Sequence, residues 1–400
     1  MSAKGVGENS ILPQFSGVES SPPKAALDEI IDSLTRIKQQ HPGFGADKKL
    51  ADACLQGMLA GLDRQSAFLD EEEFKELQVG TPPLGGLGIE LGIDADFPKI
   101  ISPIEGGPAD RGGLKTGDII AKIESSSTKG LLLRDVVKRL RGPVGSTITL
   151  TIEREGAAQP LEFVLTREVI RIESVKWRSV APGYAYIRIS QFQQRTPVRL
   201  ANAIESAYRE NQGDLKGLIL DLRNNSGGLL PASVGVAAAF LPERWLVVNT
   251  DGRTQDSKMQ LTANRENYLR DRNAEDYIKK LPPQVKTVPM VILVNRRTAS
   301  ASEIVAAALQ DHKRAKILGA RTFGEGSIQT IFPLGKNAAL RLTTARFFRP
   351  SGEPIAAIGI TPDVLLEEGT GLSPALGSGE DSQLMQALRT LGADPTLGQR

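Results

Sequence analysis

Cysteine is almost missing from this sequence. Cys54 is the only one in 400 residues, which excludes an intrachain disulfide and any zinc cluster built on cysteine. Histidine is nearly as scarce: His41 and His312 are the two present, so a hydrolase built on this chain has little imidazole to draw on. No apolar run reaches the ~18 residues that a membrane span requires. Residues 288–294 and 235–241 are only core-sized. A surplus of one charge sign is also lacking, since 49 Lys and Arg face 47 Asp and Glu for a net +2. With no long basic block either, nucleic acid is not an expected partner. Residues 1–23 are small and polar, and no signal peptide is expected there. That suits a cytoplasmic protein and equally a mature or trimmed chain, and a secreted origin would not demand disulfides.

What is present is ordinary globular material, 40% hydrophobic and 24% charged. At ~150 residues per domain, the length predicts two or three domains with substantial cores. After a flexible tail over 1–24, residues 25–80 read as helices. Leu27, Ile30, Ile31, Leu34 and Ile37 recur at three- and four-residue spacing, as do Leu50, Cys54, Met58 and Leu62. Asp70 ahead of Glu71, Glu72 and Glu73 predicts a capped helix start with an acidic first turn. From 81 to 168 the pattern changes to short strands at 100–101, 119–123, 147–152 and 161–165, around one helix at 133–140. From 169 to 369 the elements alternate, with strands at 184–189, 217–222 and 289–294 and helices at 198–208, 234–240 and 301–309. This alternation predicts a mixed α/β core, helices on a sheet, within an α+β multidomain chain. Residues 251–283 are polar and irregular and read as an insertion or long loop over that core. In the last segment, 370–400, a Gly/Ser-rich linker leads to an amphipathic helix near 384–391.

The run Gly85-Gly86-Leu87-Gly88-Ile89-Glu90-Leu91 opens the second region directly ahead of a strand. A glycine-rich loop feeding a strand can turn several backbone N–H groups toward one anion. The strand edge can then accept an extended peptide whose terminal carboxylate sits in that nest. Taken alone, the loop is equally a tight turn that binds nothing. It is followed by Ser102-Pro-Ile-Glu-Gly-Gly-Pro-Ala-Asp-Arg-Gly-Gly-Leu-Lys-Thr-Gly-Asp-Ile-Ile and by Gly142-Pro-Val-Gly-Ser, and in that order the segment resembles a PDZ domain of the bacterial protease type. The resemblance implies binding of apolar C-terminal peptides through Gly86, Leu87, Gly88 and Ile89.

Two further loops bear on chemistry. Residues 291–303, Val-Ile-Leu-Val-Asn-Arg-Arg-Thr-Ala-Ser-Ala-Ser-Glu, run from a buried strand through a turn into a helix starting near Ala301. Ser300 would sit at the positive end of that helix, where backbone N–H groups could stabilise an oxyanion. Ser300-Ala-Ser-Glu303 is also a capping box, in which serine and glutamate merely tie off a helix start. The second loop, Asp221-Leu-Arg-Asn-Asn-Ser-Gly-Gly228, ends a hydrophobic strand, and its glycines could bring a backbone donor close to a reacting carbonyl.

These loops, together with Thr322-Phe-Gly-Glu-Gly-Ser-Ile-Gln329, resemble the C-terminal processing peptidases, PDZ-containing serine proteases of the periplasm, the thylakoid lumen and related compartments. The resemblance spans roughly 25–367. It implies a Ser300 nucleophile, oxyanion donors on the backbone N–H of Gly228 and Ala301, and Gln329 helping to orient the base. It also implies a lysine base, which works when desolvation lowers its pKa until the amine can take the serine proton. The position holds Glu325 instead, with Phe323, Gly324, Gly326 and Gln329 all in frame. A glutamate is ordinarily a poor base for a hydroxyl at neutral pH. Lys313, Lys316 and Lys336 do not occupy the motif, and His312 lies about three turns along the helix from Ser300.

The sequence therefore predicts a serine endopeptidase fold in an inactive or weakened form. The alternative is a non-catalytic peptide-binding scaffold in which the PDZ domain carries the function. Expected partners are proteins or peptides with apolar C-termini, with an adaptor protein possible. No metal or cofactor is implied. The resemblance further implies an exported location and a homo-oligomer, with residues 27–37 and 384–391 as candidate assembly surfaces.

Overall fold

The computed structural model describes residues 24–393 apart from 44–46, 64, 79–83, 95, 105, 171–172, 270, 272, 368–376 and 378–379. The tail over 1–23, the Thr81-Pro-Pro start of the glycine stretch and most of the linker after 369 lie outside the described residues. Among the described residues, no helix is long and apolar enough to cross a membrane.

A six-stranded sheet forms the centre of the alternating region. Its order is Val175–Ala181, Tyr184–Ile189, Gly217–Asp221, Met290–Val294, Lys316–Gly319 and Val364–Leu365, with the first pair antiparallel and the rest parallel. Gly217–Asp221 and Met290–Val294 are buried at every position, as central strands covered on both faces must be. Period two decides which face each residue serves. Leu218 and Leu220 join the core beneath helices Thr196–Glu210, Leu230–Phe240 and Ala301–Asp311. Ile219 points to the opposite face, where Leu384, Ala387 and Leu388 of helix Ser382–Thr390 cover it. That helix buries its apolar side within its own chain, which corrects the expectation that 384–391 offers an assembly surface. Residues Leu27, Ile31 and Ile37 of helix Lys24–Gln40 remain exposed.

Asp381 caps this last helix, accepting from Gln383 N and Leu384 N, and also binds Arg223 Nη1 and Nη2 at 3.0 and 2.6 Å. Arg223 reaches Asp221 as well, and Tyr186 Oη donates to Asp221 at 2.6 Å. Asp221, Arg223 and Asp381 are all buried.

A second sheet, unforeseen from the sequence, places Ala67–Leu69, Ala339–Phe348, Leu246–Gly252 and Met259–Thr262 side by side, with Ser327–Pro333 also paired to Ala339–Phe348. Residues 251–283 are thus not a loose insertion. They supply a strand, and Tyr268 and Tyr277 are buried against the main core.

The region after residue 83 forms its own sheet, ordered Ile89–Asp94, Phe97–Pro103, Ile119–Ile123, Thr147–Glu153 and Leu161–Thr166, around helix Leu133–Leu140. Its separate core gathers Leu87, Ile100, Ile120, Val136, Leu150 and Leu165. Ile89–Asp94 lies at the sheet edge, beside that helix.

Candidate active site

Parallel sheets present their loops at the carboxyl ends of the strands, and two such loops meet here. Met290–Val294 leads into the turn ending at Ser300, and its neighbour Gly217–Asp221 leads into the Gly227-Gly228 turn. Thr298 Oγ1 donates to Leu222 O at 2.9 Å, tying the first loop to the second strand. Asn225, fully buried, does more. Its Oδ1 accepts from Gly227 N at 2.9 Å, its Nδ2 donates to Ile189 O, and its carbonyl accepts from Ala299 N and Ser302 Oγ, each at 3.0 Å.

Ser300 has φ 54 and ψ −117, a left-handed backbone that costs a non-glycine residue roughly 1–3 kcal/mol. Surrounding contacts must enforce it. A Cβ on Gly227 would stand 2.9 Å from Ser300 Cβ and 3.0 Å from Ala301 N, so only glycine lets the loops approach this closely. Gly228, at φ 138, is equally constrained, since a Cβ there would meet Phe192 O at 2.2 Å. Among the described residues, the N–H groups of Gly228 and Ala301 donate to no protein acceptor. Two free amides thus flank the Ser300 turn.

Glu303 is the residue that sequence reading undervalued. The capping box is present, with Glu303 Oε2 accepting from Ser300 N at 2.9 Å. The same oxygen accepts from Glu325 N at 2.9 Å, while Oε1 accepts from Gly324 N at 2.7 Å and from Thr322 Oγ1. One fully buried carboxylate therefore joins the Ser300 turn to the loop carrying position 325. Burial pushes the Glu303 carboxyl up, and the donors from Thr322, Gly324, Ser300 and Glu325 pull against it. The helix-start signature could have flagged Glu303, but only its burial and its second set of partners reveal the double role.

Glu325 is half-buried, and its carboxylate accepts from Ser327 Oγ at 2.6 Å and from Gln65 Nε2 at 2.8 Å. Gln329 reaches it through an intermediary, donating to Ser327 Oγ at 2.8 Å. Among the described residues no cation pairs with Glu325. His312 lies at the far end of helix Ala301–Asp311, its Nε2 at 2.7 Å from Leu246 O and its ring against Trp245. Lys313 and Lys316 follow it there, Lys336 lies in the turn between strands Ser327–Pro333 and Ala339–Phe348, and His41 is exposed after the first helix.

In the other region, Gly86 and Glu168 exchange backbone hydrogen bonds at 2.8 and 3.0 Å, and Gly88 adopts φ 71. Leu87 buries its side chain in the local core. Its N–H and that of Gly88 donate to no protein acceptor among the described residues, directly ahead of the open edge beginning at Ile89.

Comparison with known proteins agrees with both halves. Residues 183–366 match the model of peptidase family S41, and residues 76–153 match that of the PDZ domain. The chain is 41% identical over 339 residues to a carboxy-terminal-processing protease of Bartonella bacilliformis, covering 84% of this chain and 74% of that protein. It is 38% identical to a carboxyl-terminal-processing protease of Synechocystis, covering 84% of this chain and 76% of the relative. The solved structure of a photosystem II D1 C-terminal processing protease superimposes with a TM-score of 0.57 at 30% identity, covering 91% of each chain. By descent, domain content and fold, the chain belongs to the carboxyl-terminal processing proteases, PDZ-bearing peptidases of family S41.

Proposed function

We propose that this chain is a serine endopeptidase in which Ser300 attacks the scissile carbonyl and the backbone N–H groups of Gly228 and Ala301 receive the oxyanion. The side chain at position 325 is the base site, and Glu325 leaves the enzyme weak. The observation that carries this reading is the Glu303 carboxylate, which holds the backbones of Ser300 and residue 325 to a single oxygen. In the first step the serine Oγ bonds to the carbonyl carbon and its proton leaves to the base. Collapse of the tetrahedral intermediate expels the amine, which takes that proton, and water hydrolyses the acyl-enzyme. The strained φ of Ser300 and the unpaired amides beside it suit this role, because donors fixed before the reaction cost no reorganisation. We divide the chain functionally near 81 and 168, with the PDZ domain selecting substrates and an exported, oligomeric enzyme processing them.

The test works on both serines. In a Glu325→Lys background, Ser300→Ala abolishes casein cleavage with the fold retained. Ser302→Ala loses only its bond to Asn225 O, costing ~1 kcal/mol of stability while cleavage continues. The opposite assignment of the two variants would refute the nucleophile.

A peptide-binding scaffold remains the second reading, favoured by the cation-free setting of Glu325. It and the protease share one expectation, measurable by fluorescence anisotropy. Peptides ending in an apolar residue bind beside Ile89–Asp94, and amidating their C-terminus abolishes binding, because the Leu87 and Gly88 amides lose their anion. Equal affinity for acid and amide would rule out carboxylate capture.

A further inference from the structure

The group that touches Glu325 from furthest away in the chain is Gln65. We propose that Gln65 is a positioning residue of the site, seating the side chain at position 325 through a carboxamide able to donate to a carboxylate or accept from an amine. The inference rests on the reading of position 325 as the base site.

Its backbone is fixed with unusual completeness for a residue between elements. Asp63 Oδ1 accepts from Gln65 N at 2.8 Å and Ser66 N at 2.7 Å, and Asp63 Oδ2 accepts from Ser66 Oγ at 3.0 Å. Burial is the largest single influence and raises the Asp63 carboxyl, but the Ser66, Gln65 and Thr343 donors together outweigh it and hold it below the usual range. Arg341 Nε donates to Gln65 O at 3.0 Å, and Thr343 N donates to Ser66 Oγ at 3.1 Å. Ala67–Leu69 then pairs with Ala339–Phe348, the strand that also pairs with Ser327–Pro333, carrier of Ser327 and Gln329. Gln65 and the remainder of the cage are thus anchored to one sheet.

The composition of the cage is informative. Gln65, Ser327 and Gln329 are each donor and acceptor at once, and none is charged. The carboxylate now at position 325 meets two of these neutral donors, Gln65 Nε2 and Ser327 Oγ. By turning an amide or a hydroxyl, Gln65 and Ser327 can instead accept from an amine, with Gln329 behind Ser327, and none of them adds charge that would raise the amine's pKa. A neutral, reversible cage suits a base that must lose and regain a proton.

In the Glu325→Lys enzyme, Gln65→Leu, which keeps volume and removes both polar atoms, lowers kcat roughly 10–10²-fold with KM little changed, because the base is no longer held in line. Gln65→Glu sets a carboxylate beside the amine and moves the acidic limb of the kcat/KM profile to higher pH. A purely structural residue would move neither. Unchanged kcat and an unmoved limb in folded variants would overturn the assignment. Should Glu325→Lys itself prove inactive, the base reading fails separately, and the contact is then read without activity. With glutamine labelled with nitrogen-15, the Gln65 side-chain amide resonances of the unaltered chain shift on Glu325→Ala. Unshifted resonances would overturn the proposal, and this measurement leaves Gln65 in place.

Discussion

Glu325→Lys is expected to raise casein cleavage near pH ~8 by ~10²–10⁴-fold, the range that general-base assistance contributes. The unaltered chain, beside a Ser300→Ala blank, should stay near the detection limit. Two physical effects act together. In the proposed site the position that should take the Ser300 proton holds a carboxylate, a poor base for a hydroxyl at neutral pH, which accepts from Gln65 and Ser327. An anion on the loop that shares Glu303 with the Ser300 turn also opposes the negative charge developing on the carbonyl oxygen. Lysine removes both effects, and its profile should show a limb displaced below the ordinary amine range by desolvation. Robust Ser300-dependent cleavage by the Glu325 chain at pH ~7 would sink this account and force a serine–carboxylate mechanism or an unidentified base.

The sequence was most legible where burial leaves a clean pattern. Gly217–Asp221 and Met290–Val294 are buried throughout and carry apolar runs at 218–220 and 290–294 because helices cover both faces, and the glycine-marked turns around them resolve as drawn. The helix at Leu133–Leu140 and strands Ile119–Ile123 and Tyr184–Ile189 also fall where spacing predicts. Strand Ser327–Pro333 escaped because its residues are nearly all half-buried, which gives neither a run nor an alternation. The second sheet was invisible for a related reason: its strands come from residues 67, 246, 259, 327 and 339 onward, and no local signal joins them. The candidate site divides in the same way. Ser300 and Gly228 could be singled out from loop chemistry, and position 325 from the family resemblance. Asn225, Glu303 and Gln65 could not be given their roles, since each acts through contacts made only after distant segments close.

The largest stability effect is expected at Asp381, where Asp381→Ala should lower the unfolding free energy by ~3–5 kcal/mol in urea titration. The residue combines two jobs. As a cap it satisfies Gln383 N and Leu384 N, and its other oxygen accepts from Gly377 N at 2.8 Å. As an ion it closes the network in which Arg223 is held between Asp221 and Asp381. Truncation would leave the buried guanidinium with one carboxylate rather than two, and would loosen the helix that covers Ile219, Val291 and Leu293. Asp381→Asn separates the roles. Asparagine caps nearly as well as aspartate, so it should recover about 1 kcal/mol relative to alanine and lose the remainder. The pH dependence has a definite sign. Burial alone would raise the Asp381 carboxyl, but Arg223 and the backbone donors of Gly377 and Leu384 outweigh it, so its pKa lies below the ordinary value. Its contribution is therefore complete above the unfolded-state pKa and disappears as pH falls through the lower folded value. The difference between wild type and Asp381→Ala should then be flat near neutrality and shrink only under strong acid. Arg223 stands four residues before Gly227, so the same variant should also weaken Ser300-dependent cleavage in the Glu325→Lys background. A loss of under ~1 kcal/mol, the range of an exposed ion pair, would show that the C-terminal helix is held by its apolar face alone.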